Sequence, residues 1–288
     1  MRILVLGGDG MLGHQVLTVL RARHEVKVTL RQEFAAYANT SLYTPQNAFA
    51  GVDVRASDRL LAVLSAFHPE AVVNAIGIVK QRPDGLDIIP NLEVNALLPH
   101  RLAIICGAIG ARLIHISTDC VFSGRRGQYR EEDDTDPVDI YGHSKLLGEV
   151  RQPGVTTLRT SIIGLALFRG TSLIDWFLRQ RGTIKGYRNA IFSGLTTKEL
   201  SRVIEMLLVK HREASGLYHL SSSPISKYDL LLRLRDRLKR RMEIIPDDEV
   251  RIDRSLDSKR FRAEFDYVPP SWDEMLDELA RDIEARKT

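Results

Sequence analysis

The sequence predicts an α/β fold, a doubly wound parallel sheet followed by a smaller, mixed C-terminal lobe. Three observations carry this. The chain opens on an apolar strand, Arg2-Ile-Leu-Val-Leu6, which stops at a glycine-rich turn before helical apolar spacing from Met11 to Leu20. Strand-type and helix-type segments then alternate as far as Thr156-Thr-Leu-Arg159. Beyond that point the alternation weakens into helices joined by Gly- and Pro-bearing loops.

The turn reads Gly7-Gly-Asp-Gly10-Met-Leu-Gly13, a Gly-x-x-Gly-x-x-Gly spacing. Strand, glycine turn and helix form the dinucleotide-binding opening of a Rossmann-type sheet. Gly7 permits the tight turn, Gly10 lets backbone approach a pyrophosphate, and Gly13 allows close helix packing, with Met11 and Leu12 completing the cradle. Plain turn chemistry is the alternative, and the place directly after an amino-terminal strand favours the cofactor. His14 is read as exposed on the helix.

A second strand, Glu25-Val-Lys-Val-Thr-Leu30, ends where an acid would hold the adenosine ribose of NAD. Here the next residue is Arg31, whose guanidinium suits a 2′-phosphate, so NADPH is favoured over NADH; otherwise Arg31 is a rim residue that touches nothing. Residues 32–51 lack periodicity and read as a variable connection. Val52-Asp53-Val54 follows, with Asp53 and Val54 assigned to the adenine.

Asp58 reads as the N-cap of a helix through Phe67, and Pro69 breaks it before the strand Ala71-Val-Val-Asn74. Ala75, Ile76 and Gly77 come next, and the small pair Ala75 and Gly77 lets a ligand approach the backbone. The loop from Gly77 to Pro90 carries Lys80 and Arg82, cations that meet either a substrate diphosphate or solvent. A helix from about Asn91 to Ile109 places Asn95 among apolar neighbours. There it either holds a water or main-chain group near the site or is a satisfied core amide. Cys106 reads as packing.

Arg112-Leu-Ile-His-Ile-Ser-Thr118 is a buried strand ending in two hydroxyls, Ser117 and Thr118, at the sheet edge where α/β proteins bind ligands. Asp119-Cys120-Val121-Phe122 follows. The carboxylates Glu131 to Asp134 are consecutive and do not converge on one point, so they read as a solvated loop and no metal site is expected. On the next helix Tyr141 and Lys145 stand at i and i+4, one above the other. A free phenol has a pKa near 10, and a fixed ammonium beside it favours the ionised form, which makes it a working general acid. Such a pair alone is common by chance; its setting gives it weight.

Further helices are expected near Thr171 to Arg181, Thr197 to His211, Ser226 to Arg240 and Asp273 to Lys287, with a strand Gly216-Leu-Tyr-His219. The expected division is a cofactor domain over 1–160, with segments near 191–221 packing back on it, and a mainly substrate-binding lobe over 161–288.

The 288 residues are 44% hydrophobic and 27% charged, enough to bury a full core. An excess of 41 Lys+Arg over 37 Asp+Glu suits an anionic ligand or a bland surface alike. The basic run Arg233 to Arg241 sits on an apolar-periodic helix (Leu230, Leu231, Leu234, Leu238) and reads as a solvated face, so no nucleic acid is expected. Two cysteines exclude a disulfide framework. No apolar run is read as approaching the roughly 20 residues of a membrane span, and no leader precedes the first strand. The expected location is cytoplasmic, without a membrane partner.

Read together, Gly7-x-x-Gly10-x-x-Gly13, Ser117-Thr118-Asp119 and Tyr141-Gly-x-Ser-Lys145-x-x-Gly-Glu149 resemble an extended short-chain dehydrogenase/reductase. The nearer likeness is to the dTDP-4-dehydrorhamnose reductase branch, through Ser117 to Phe122 and Arg159-Thr160-Ser161. The resemblance implies that NADPH reduces the C4 carbonyl of a nucleotide-linked 4-keto-6-deoxy sugar. Tyr141 would donate the proton, Thr118 would bond the same oxygen and Lys145 the nicotinamide ribose. It further implies that Asn95 belongs to the proton network, that Ala75, Ile76, Gly77 and Ser117 flank the cofactor, and that Asp119 to Phe122 and Lys80 meet the sugar nucleotide. A homodimer is compatible with it. Cys120 stands where the branch commonly has Tyr and Ile162 where it has an aromatic residue, which points to a related nucleotide sugar in surface-polysaccharide synthesis. The rival readings are a 4-epimerase or 4,6-dehydratase of the same fold and a nonenzymatic NADP-binding subunit.

Overall fold

A computed structural model describes residues 1–80, 85–168, 170 and 172–286. Its main sheet takes strands β1 (Arg2–Leu6), β2 (Glu25–Thr29), β3 (Ala48–Phe49), β4 (Ala71–Asn74), β5 (Arg112–Ile116) and β6 (Val155–Arg159), with Gly216–His219 at the outer edge. The order is Gly216–His219, β6, β5, β4, β1, β2, β3. β1 runs parallel to both β2 and β4, and β4, β5 and β6 continue parallel. Strand order reverses between β1 and β4, so the crevice beyond their carboxyl ends is the place where such sheets take ligands. The glycine turn leaves β1 there, and Ala75 leaves β4.

The helices flanking this sheet are α1 (Gly13–Leu20), α2 (Ser57–Phe67), α3 (Ile88–Asn91), α4 (Leu98–Ile109) and α5 (Ile140–Leu147). α2 shows why such segments fold. Leu60, Val63, Leu64 and Phe67 recur at i, i+3, i+4 and i+7, and all four join Leu4, Leu6, Val72 and Leu113 of the sheet in one core. Burying each of these side chains contributes about 1.5–3 kcal/mol. The helix ends where His68 turns left-handed at φ 50° before Pro69. Its N-cap is Ala56; Asp58, expected at that position, lies in the first turn, where its charge still favours the helix amino end.

The helix expected from Asn91 is longer and broken. It starts at Ile88 and passes through a π-helical turn, Leu92–Leu97, into α4. Pro99, four residues after Asn95, has no N–H to give that carbonyl, which accounts for the broken step. Ile88–Ile109 spans 22 residues and is long and apolar enough to cross a membrane, which corrects the reading that no run approaches that length. One face of it, Leu98, Leu102, Ala103 and Cys106, is nevertheless packed into the sheet core.

The chain divides into two compact units, one of residues 1–117, 139–158 and 201–217, the other of 118–138, 159–200 and 218–288. The division is therefore interleaved along the chain, with 201–217 in the first unit and 118–138 in the second. In the second unit short strands are as prominent as helices. Thr183–Tyr187 pairs with Glu243–Asp247, and Ala190–Phe192 pairs with Ile225–Ser226 and Ile252–Asp253. Strands of two or three residues, or one holding Pro246, leave little alternation to read. Helices Leu173–Arg179, Lys227–Arg237 and Trp272–Ala285 occupy the expected places. The expected end points Thr171 and Lys287 lie outside the described residues. Arg237 of the basic run pairs with Asp273 at 2.7 Å and Asp277 at 2.5 Å, so much of that charge is matched by the neighbouring helix.

Candidate active site

In the first unit the glycine turn is built as its spacing requires. Gly7 has φ +82°, and a Cβ there would lie 2.7 Å from Ile76 Cγ1. A Cβ on Gly13 would stand 2.0 Å from the Gly7 carbonyl oxygen, so any side chain would push α1 off the turn. The amide of Gly7 donates to Thr29 Oγ1 (3.1 Å) and that of Gly8 to the Thr29 carbonyl (2.8 Å), tying the turn to the end of β2. No side chain caps α1. Leu12 and His14 are buried, His14 by a 2.8 Å bond to the Gly10 carbonyl, so the expectation of an exposed His14 is corrected. Leu12 can offer a ligand only main chain.

Arg31 is exposed at the end of β2. Asp53 is half-buried and clamped by Arg55 at 3.0 Å (Nε to Oδ1) and 2.5 Å (NH2 to Oδ2), and these bonds, with the further charge of Arg31, hold its carboxyl down at about 2. Val54 belongs to the apolar core. The segment 32–51 is not loose: Tyr43 donates to the Gly8 carbonyl (2.7 Å) and Tyr37 to Asp9 Oδ2 (3.2 Å), so both phenols serve the glycine turn. Nothing in the apolar pattern announces this, because the tyrosines act through their hydroxyls.

Asn95 is completely buried. Its Oδ1 accepts from the Ile78 amide (2.9 Å), and its Nδ2 faces the Ile78 carbonyl (2.9 Å), Asn91 Oδ1 (3.0 Å) and Ser144 Oγ (3.1 Å). The two readings of this residue coincide: it is a satisfied amide, and the group it holds is the main chain of Ile78 beside Gly77. Through Ser144, which donates to the Tyr141 carbonyl (3.0 Å), it ties the exit of β4 to α5. Gly148 completes this fit, since a Cβ there would stand 1.9 Å from the Asn95 carbonyl oxygen.

α5 is started by Asp139, whose Oδ1 accepts from the Gly142 amide (2.8 Å). Lys80 lies 3.6 Å from the same carboxylate, so its charge is met by the helix cap. Residues 81–84, Arg82 among them, lie outside the described residues. Tyr141 is half-buried on the first turn of α5, and Lys145 is buried one turn on. Lys145 Nζ donates to the Ile116 carbonyl at 2.6 Å. Burial pushes this ammonium down to about 8, and the carboxylate of Glu149 works against the fall. Glu149 is itself anchored, its Oε1 accepting from Ser117 Oγ at 2.8 Å, so the Ser117 hydroxyl is engaged within the protein. His115, beside Asn74 at 3.1 Å and wholly buried, is held well below the usual imidazole range by that burial and by Lys145.

In the second unit Thr118 caps a short 3-10 turn. Its Oγ1 accepts from the Cys120 amide (3.1 Å) and donates to Asp119 Oδ1 (3.2 Å). Burial raises the Asp119 carboxyl against the opposing charges of Arg254 and Lys227. Arg254, unremarked in the sequence, bonds the Phe122 carbonyl (2.8 Å) and lies 3.6 Å from the Cys120 sulfur. Val121 and Phe122 are fully buried, and Phe122 is stacked on Tyr129 at 4.2 Å, with the Arg159 guanidinium 5.2 Å from its ring centroid. Both side chains are core residues that hold the turn in place. The acidic loop sends its carboxylates to separate partners, Glu131 to the His219 amide (2.8 Å) and Asp133 to the Arg130 amide (2.7 Å).

A parallel sheet with its glycine turn at the switch point and a Tyr-x-x-x-Lys helix defines the class of the extended short-chain dehydrogenases/reductases. Within that class the chain belongs to the family described as RmlD substrate binding domain, whose profile matches residues 1–285. It is 25% identical over 250 residues to a dTDP-4-dehydrorhamnose reductase of Aggregatibacter actinomycetemcomitans, covering 82% of this chain and 78% of that protein. It is 31% identical over 152 residues to methionine adenosyltransferase 2 subunit beta of Bos taurus, covering 51% of this chain and 41% of that one. Among solved structures, dTDP-4-dehydrorhamnose reductase of Bacillus anthracis str. Ames in complex with NADP shares the fold at a TM-score of 0.79 and 20% identity, covering 98% and 99% of the two chains.

Proposed function

We propose that this chain is an NADPH-dependent reductase of the C4 carbonyl of a nucleotide-linked 4-keto-6-deoxy sugar, acting in the cytoplasm in the synthesis of a surface-polysaccharide precursor. The observation that carries the reading is the Tyr141 and Lys145 pair on α5, with a buried ammonium fixed on the Ile116 carbonyl. The names of the Aggregatibacter relative and of the NADP-bound Bacillus structure support it. The residues present fit a dinucleotide: the uncapped amino end of α1 offers backbone donors to a pyrophosphate, the side-chain-free Gly10 leaves room for it, and Arg31 offers a cation to a 2′-phosphate.

NADPH supplies the hydride when bound. Tyr141 gives its phenolic proton to the carbonyl oxygen as negative charge develops there. The Lys145 ammonium favours the phenolate left behind, and the Ile116 carbonyl keeps that ammonium in one position. We assign the dinucleotide to the first unit, and contacts to the sugar to Thr118, Asp119 and Cys120 of the second. A thiol at Cys120 gives the sugar less area than a phenol, which favours a substrate related to, and distinct from, dTDP-4-dehydrorhamnose.

A second reading, a noncatalytic dinucleotide-binding subunit, draws on the bovine relative. One experiment separates them: NADPH absorbance is followed with freshly made dTDP-, UDP- and GDP-linked 4-keto sugars, for wild type and Tyr141→Phe. Oxidation by wild type with a loss of about 100-fold or more in the variant is expected. Equal rates remove Tyr141 as the acid, and no turnover with any sugar favours the second reading.

A further inference from the structure

Burying an ionised side chain is costly unless its donors and its charge are met. Arg159, the last residue of β6, is 1% exposed and is the largest of the fully buried side chains. An aliphatic residue would fill the end of a buried strand without that cost, so what the guanidinium touches is informative. Its NH1 lies 3.2 Å from His219 Nε2, and His219 Nδ1 lies 3.0 Å from the Tyr129 carbonyl. A guanidinium only donates, which makes Nε2 the acceptor and leaves the ring proton on Nδ1, where it is donated to Tyr129. Burial, and after it the Arg159 charge, push this imidazole down to about 3, so the acceptor stands at neutral pH. The guanidinium carbon also lies 5.2 Å from the centroid of the Phe122 ring, which is stacked on Tyr129 and meets His219 edge to face at 5.7 Å. Tyr129 is fixed in turn by main-chain bonds with Ser255 (3.0 Å) and Asp257 (2.7 Å). The cluster closes on the segment that carries Thr118. Phe122 ends the turn that Thr118 caps: its amide donates to the Asp119 carbonyl (3.1 Å) and its own carbonyl accepts from Arg254 (2.8 Å). At the other end the Asp119 amide donates to the carbonyl of Thr160 (3.3 Å), the neighbour of Arg159 in the chain.

We propose that Arg159 is a positioning residue for the reduction: through the Phe122 ring it sets where the Thr118 oxygen stands against the substrate carbonyl. A hydroxyl turns about one bond, so the place of its oxygen decides which acceptor its proton reaches. In the ligand-free protein that acceptor is Asp119 Oδ1 at 3.2 Å. A misplacement of about 1 Å at a reacting group costs on the order of 100-fold in rate. This rests on the reductase reading given above and adds to it a residue outside the reacting groups.

Turnover of NADPH by the intact protein, with whichever of the dTDP-, UDP- and GDP-linked 4-keto sugars it reduces fastest, tests this in Arg159→Met, Thr118→Ala and the double variant. Methionine fills the space without the charge, and an apolar replacement of a buried charge is often neutral or stabilising. Arg159→Met should therefore lower kcat by about 50-fold while the melting midpoint and the Kd for NADP+ stay near wild type. If Arg159 acts through Thr118, the double variant is no slower than Thr118→Ala alone, within about twofold. A wild-type kcat in Arg159→Met, losses that multiply in the double variant, or a parallel loss of NADP+ affinity would each overturn the positioning role and leave the reductase reading standing. Should Arg159→Met fail to fold, Phe122→Leu runs the same cycle, because it removes the ring against which the guanidinium rests; a loss of about tenfold that vanishes in the Thr118→Ala background is expected, and one that multiplies overturns the proposal. If wild type reduces none of the sugars, both readings fall together.

Discussion

At Lys145 burial and charge pull in opposite directions. Its ammonium is held down at about 8 from an ordinary 10.5, burial outweighing the help of Glu149. Below about 8 the group is charged whether the chain is folded or not, and the folded state carries the full cost of burying that charge. Between about 8 and 10.5 the folded protein releases the proton while the unfolded chain keeps it, so this residue makes stability rise with pH across that window. Binding runs the other way, because the neutral amine no longer attracts an anionic ligand. In the ligand-free protein NADP+ affinity should therefore fall as pH rises through about 8. Lys145→Met should bind more weakly at pH 7 and lose that dependence; a parallel fall in both proteins in a calorimetric titration would assign the effect elsewhere. The Tyr141 and Lys145 spacing was legible in the sequence because helical geometry fixes it. Val121 and Phe122 entered the site through a motif match, which says nothing of which way a side chain turns; hydrophobicity, the plainer signal, puts both side chains in the core. Asp9 and Tyr37 escaped because their bond spans 28 residues and no periodicity encodes it.

Among the elements, the broken helix from Ile88 to Ile109 does most to place α5. A continuous apolar pattern hides the π-helical turn, although Pro99 was a readable sign that one main-chain bond would be missing. Asn95 fills the space by pairing with both polar groups of Ile78, and its carbonyl is approached closely by Gly148. Asn95→Leu keeps the volume and strands the Ile78 amide and carbonyl. At about 1–3 kcal/mol for each buried unsatisfied group, the variant should lose about 2–6 kcal/mol in urea unfolding. A change under about 0.5 kcal/mol would show that water satisfies Ile78 unaided. Strand, glycine turn and helix at the amino terminus were read correctly because two periodicities meet there at an abrupt boundary. The paired short strands of the second unit were not, since two or three residues are too few to show alternation.

For the molecule as a whole, the alternation of strands and helices was enough to anticipate the parallel sheet, and the family profile covers almost the entire length. Of the interleaving, the sequence suggested only a return of segments near 191–221 to the first unit; the place of 118–138 in the second was beyond a reading that proceeds along the chain, because contact and not proximity in sequence defines a unit. A ligand bound only by the folded chain stabilises it by mass action. NADP+ at 100 times its Kd should add about 2.7 kcal/mol and raise the melting midpoint by about 5 °C. Scanning calorimetry with and without the dinucleotide checks this, and an unmoved midpoint at saturating ligand would count against a site on the native state.

The interleaved units also bear on how the chain is made. Residues 201–217 belong with 1–117, so the first unit is unfinished until most of the polypeptide has left the ribosome. A nascent chain stalled near residue 160 would carry β1 to β6 without the outer strand Gly216–His219, leaving an open sheet edge for a chaperone to shield.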